Sequence, residues 1–99
     1  MNQLQLRASV LEKEALRHTP AGISVATAIL SHRSEQSEAG YQRIAEMEIT
    51  ALVAGPQAAR FAQIPAGTEL MVQGFLCRKN RNSKSLVLHI SEFEILRLD

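Results

Sequence analysis

Three features of this 99-residue chain predict an all-β domain, a small five-stranded barrel with one short helix between the third and fourth strands. Apolar and polar residues alternate with period two, β-branched residues gather in several segments, and Pro and Gly punctuate the joints between them. Closing such a sheet into a barrel hides edges that an open sheet would expose.

The first strand lies in NQLQLRASVLE, where Leu4, Leu6, Ala8 and Val10 share one face and Gln5, Arg7 and Ser9 the other. EKEALRHTPAGI breaks the alternation, and TPAG sets Pro20 and Gly22 at the second and fourth positions of a type I turn, so the chain reverses. ISVATAILSHR, residues 23–33, is rich in β-branched and small residues that favour a second strand. SEQSEAG, residues 34–40, is polar, ends in Gly and reads as a loop. YQRIAEMEITALV, residues 41–53, forms the third strand, with Ile44 and Glu46 on one face and Ala45, Met47 and Ile49 on the other.

GPQAARFAQIP then changes period. Pro56 suits a first helical turn, Ala58, Phe61 and Ala62 recur at helical spacing, and Pro65 closes the helix. AGTELMVQGFLCR turns through Gly67 into a fourth strand, in which Leu70, Val72, Gly74 and Leu76 alternate with Met71, Gln73, Phe75 and Cys77. LVLHISEFEILRL, residues 86–98, is the fifth.

A hydrophobic fraction of 45% and a charged fraction of 21% indicate a compact single domain spanning residues 1–99. The lone Cys77 cannot form an internal disulfide, and MNQLQLR has no secretory character, so a reducing, cytoplasmic setting is expected. No apolar run reaches the ~18 residues of a bilayer span, and no membrane association is expected. GxxxxGK[ST], GxSxG, HExxH and GxGxxG are all absent, which argues against an enzyme. His32, His89 and Cys77 lack the spacing of a zinc site, and neither metal nor cofactor is expected.

Charge is distributed unevenly. CRKNRNSKS, residues 77–85, holds Arg78, Lys79, Arg81 and Lys84, four of the eleven Lys and Arg residues, and none of the ten acidic ones. A hairpin of this kind can follow a phosphate backbone, Arg offering forked donors and Lys a mobile point charge. Segregation by sign separates it from a hairpin tip that is charged only for solubility.

The order of strands around the helix, with GTELMVQGFL leading into strand four, resembles the oligonucleotide-binding (OB) fold of single-strand DNA-binding proteins. SHRS (31–34), EAGYQR (38–43), VQGFL (72–76) and LVLH (86–89) resemble the PriB family, also called primosomal replication protein N, and the likeness spans nearly the whole chain. It implies a homodimeric OB-fold that binds single-stranded DNA and works with the primosomal helicase and other primosome proteins in replication restart.

The same resemblance puts Arg33, Tyr41 and Arg43 on the binding surface, although both arginines could instead form rim salt bridges with Glu35 or Glu38. Strands two and three are expected to bring Arg33 and Arg43 onto one face, in a cationic groove running to residues 78–84. Tyr41 offers a stacking ring, and stacking is worth ~1–3 kcal/mol per base. Arg17 and His18 align with another basic patch, or else form a solvated turn; a contact from His18 would depend on pH. Phe75 and Phe93 read as core or dimer-interface residues, and Phe61 as the anchor of the helix.

One departure from the family matters. Its better-known members carry Trp on strand three where this chain has Glu46, with Glu48 on the same face. A carboxylate repels phosphate, so binding is expected to weaken or to shift towards the basic loop. The competing reading is a protein-interaction adaptor whose basic loop docks on an acidic primosome partner; an RNA-binding module ranks third.

Overall fold

The computed structural model describes residues 1–98; Asp99, the last residue of the expected domain, lies outside them. In chain order the elements are β1 (Leu4–Lys13), β2 (Arg17–His18), β3 (Ser24–Glu38), β4 (Tyr41–Ala54), α1 (Ala58–Ala62), β5 (Glu69–Arg78) and β6 (Leu86–Arg97). The five long strands and the helix are those expected from the alternation. β2 is an addition of two residues, too short to leave a periodic signal.

Pairing runs β1-β5-β6-β4-β3-β2, and a further β1–β3 pairing closes the sheet on itself. β1 serves both neighbours because it changes partner along its length. Leu4 to Ser9 pair with β5, while Ser9 to Lys13 pair with β3 across a register shift between Val10 and Glu12. The extra residue bends the strand around the barrel's corner. The other closure is parallel, a short ladder joining Thr50, Ala51 and Leu52 to Val87, Leu88 and His89.

The inner face collects Leu6, Ala8 and Val10 of β1, Ala26, Ala28 and Leu30 of β3, Ala51 and Val53 of β4, Leu70 and Val72 of β5, and Leu88 and Ile90 of β6. Several of these are alanines, because a barrel this narrow has little room inside. The helix and the turn that follows it plug one end with Ala58, Phe61 and Ile64. Phe61 meets Phe93 edge-on at 5.2 Å, and the Arg60 guanidinium covers the Phe93 ring at 4.7 Å.

SEQSEAG is not a loop. β3 continues through Glu38 and β4 begins at Tyr41, so the connection shrinks to Ala39 and Gly40, both with positive φ (52° and 82°). Those angles belong to a two-residue hairpin turn of type I′. The residues read as loop form a two-stranded ribbon wetted on both faces, which has no apolar side to reveal its period. TPAG does turn as expected, with Gly22 N–H donating to the Thr19 carbonyl at 2.8 Å.

Candidate nucleic-acid interface

Residues that alternate with the core point outwards, and across β3, β4 and β6 they are unusually apolar. Thr27, Ile29, Thr50, Leu52, Val87 and His89 floor a groove of about 570 Å³. One wall comes from Glu12, Lys13, Glu14 and Arg17, and the other from Cys77 to Asn80 with Ser85 and Leu86. The walls are the β1–β2 and β5–β6 connections with the strand ends that flank them, the loops between which OB-folds hold their ligands. Ile29, Leu52 and Val87 were legible as apolar residues where a solvated face should be polar; His89 gave no such signal.

The basic loop is ordered by its own hydrogen bonds. Lys79 N–H donates to the Ser85 carbonyl at 2.9 Å, and Ser83 N–H to the Asn80 carbonyl at 3.1 Å. Side chains complete the turn, Asn80 Oδ1 accepting from Asn82 N–H and Ser83 Oγ from Ser85 N–H. Asn and Ser suit these places because their short polar groups reach the backbone two residues on. Arg78 and Lys79 border the groove, and Arg81 and Lys84 extend from the exposed tip. Among the described residues none of these four cations takes part in a salt bridge.

On the opposite wall Arg17 belongs to β2 and lines the groove; His18, its neighbour, pairs with Ser24 and lies outside the lining. Lys13 is occupied, its Nζ donating to the Ala62 carbonyl at the end of the helix at 3.0 Å.

The expected grouping of Arg33 with Tyr41 and Arg43 is corrected by the register. Arg33 pairs opposite Glu46, whereas Arg43 pairs opposite Gln36 and Tyr41 opposite Glu38. Directly paired residues share a face, and three steps along a strand reverse it, so Arg33 lies on one face of the ribbon and Tyr41 and Arg43 on the other. None of the three lines the groove. Each arginine also has a carboxylate partner, Arg33 with Glu46 at 3.2 Å and Arg43 with Glu38 at 3.0 Å. Tyr41 is 75% exposed at the ribbon's end. Glu46 and Glu48 share Arg33's outward face, which is continuous with the groove floor through Thr50.

The chain and its fold have close counterparts. A family model described as another single-strand binding protein family matches residues 2–92. The replication restart protein PriB of Bordetella pertussis is 45% identical over 92 residues, covering 93% of this chain and 86% of the relative. That of Nitrosomonas europaea is 37% identical, covering 96% and 88%. The solved structure of PriB from Ralstonia solanacearum superposes with a TM-score of 0.89 at 41% identity, covering 98% and 99% of the two chains. The single-stranded DNA-binding protein of Thermus aquaticus shares the OB-fold, with a TM-score of 0.79 at 18% identity over 98% of this chain and half of its own. Identity of this order across almost the full length, together with the matched barrel, makes the chain a member of the PriB family of replication restart proteins.

Proposed function

We propose that this protein binds single-stranded DNA during replication restart, gripping the strand between the outer-face groove and the loop at residues 78–84. The observation that carries this is the pairing of four cations, free of carboxylate partners among the described residues, with an apolar floor, so phosphates and bases each meet suitable chemistry. Arg17 adds a cation on the far wall. Arg33, Tyr41, Arg43 and His18 are secondary contacts, reached by a strand that leaves the groove. The role is one of binding rather than catalysis, requires no cofactor, and belongs to the cytoplasm with the primosomal helicase and other primosome proteins as partners.

The active form is a homodimer. Supporting this, Phe75 stands exposed on the outer face of β5 with the amides of Gln5 and Gln73 beside it and Glu92 opposite Gln73 at its edge. Amides carry both donor and acceptor, so such a face complements a second copy of itself.

A fluorescence titration with single-stranded and duplex oligonucleotides at several salt concentrations tests the DNA reading. Preference for the single strand is expected, and Arg81→Ala or Lys84→Ala should each lower the slope of log affinity against log salt by roughly 0.7. Salt-independent binding, or slopes unchanged in both variants, would sink the loop's role. Weak binding by every form would promote the adaptor reading, which the paired arginines and the exposed Tyr41, Ile44 and Met47 of the ribbon favour.

A further inference from the structure

At the edge of the groove floor stands an aromatic pair that no alternation pattern disclosed. The Phe75 and His89 ring centroids are 4.9 Å apart and their planes differ by 9°. Coplanar rings at that distance would collide, so the two lie face to face. Their separation matches the spacing of adjacent strands, ~4.8 Å, and the two residues are direct partners in the β5–β6 ladder. Both rings therefore stand upright on the outer face, each on its own strand.

The next strand supplies no ring. Across the parallel ladder His89 is the partner of Leu52, and Leu52 is in turn the partner of Thr27. The row reads Phe75, His89, Leu52, Thr27, falling from two upright rings to an aliphatic residue and then a small one. The drop lies within the groove, whose lining includes His89, Leu52 and Thr27 but not Phe75. One face of the imidazole is backed by Phe75, and the other borders a space with an apolar floor.

From this geometry we infer that His89 is a base-stacking residue, and that a nucleobase stands beside it over Leu52 as the third plate of the stack. This rests on the single-strand reading above and gives it a stacking group on β6, where β4 offers Glu46 instead of an aromatic. Phe75 is a positioning residue that holds the imidazole upright. The phosphates on either side of the stacked base fall towards Arg78 and Lys79 on one wall and Arg17 on the other.

The test compares the unmodified protein, His89→Leu and His89→Phe in anisotropy titrations with an oligothymidine and with an abasic strand of the same length. His89→Leu should weaken oligothymidine binding roughly 5- to 100-fold while leaving abasic binding and the salt slope unchanged. His89→Phe, which keeps an aromatic face, should restore most of the loss. Equal affinities for His89→Leu and the unmodified protein, or equal losses on both strands, would overturn the inference and leave DNA binding by the loop standing. An unmodified protein that binds neither strand removes the single-strand reading itself, and this inference with it.

Discussion

At Gly74 a single hydrogen atom decides how two strands meet. A Cβ built there would lie 1.9 Å from the His89 carbonyl oxygen and 2.8 Å from its carbon, both backbone atoms that cannot swing aside. The register of β5 against β6 shifts between Gln73 and Gly74, and Ser91, skipped in the pairing, donates through its hydroxyl to the Gln73 carbonyl at 3.0 Å. Glycine is required for close approach, not for an unusual φ. Gly74→Ala should therefore destabilise the fold by about 1–3 kcal/mol, the usual range for overpacking. That corresponds to a fall in melting temperature of roughly 4–8 °C per kcal/mol for a domain of this size. An unchanged thermal melt would refute the claim of contact. Alternation in the sequence put Gly74 on the core face; why no side chain stands there depends on β6, twelve or more residues away.

The ribbon formed by the far halves of β3 and β4 illustrates how an element can be charged yet electrostatically occupied. Its two arginines are matched by Glu46 and Glu38, and Glu35 adds a further carboxylate, so it offers far less positive potential than the basic loop. The Arg33 and Glu46 side chains are each 66% exposed, where an ion pair contributes at most ~1 kcal/mol. Glu46→Gln should consequently leave the melting temperature nearly unchanged. It should raise affinity for single-stranded DNA by up to ~5-fold, because Arg33 is released and a repulsive charge removed. An affinity that stays the same or falls in that titration would show that the strand never approaches the ribbon. The sequence concealed this element because a solvated two-stranded ribbon carries polar residues on both faces.

For the molecule as a whole, closure of the barrel leaves two outer faces with contrasting chemistry. The groove face is bounded by cations, whereas the face around Phe75 carries the amides of Gln5 and Gln73 with Glu92 opposite Gln73, and Phe75 itself is 44% exposed. Sedimentation should give a mass about twice the 10.9 kDa of the chain, and Phe75→Glu, which sets like charges against one another across a two-fold contact, should return it to the monomer value. A dimer that survives Phe75→Glu would move the interface elsewhere; a monomeric unmodified protein would abolish it. With two copies the loop cations double, and avidity rises only where both loops can engage one strand.

What was readable along the chain was periodic or compositional. Alternation of Leu4, Leu6, Ala8 and Val10 identified a strand and its inward face, the spacing of Ala58, Phe61 and Ala62 identified the helix, and residues 77–85 declared their charge. Each is a local property, set by backbone geometry over a few residues. Faces shared between strands are another matter, because they depend on register, and a step of one residue transfers every side chain to the other side. Arg33 parts from Arg43 for that reason, and the parallel β4–β6 ladder sets His89 beside Leu52, whose positions in the chain lie 37 residues apart. The groove exists because β1 bends between two partners and closes the sheet, a choice made by packing among distant strands rather than by any segment alone.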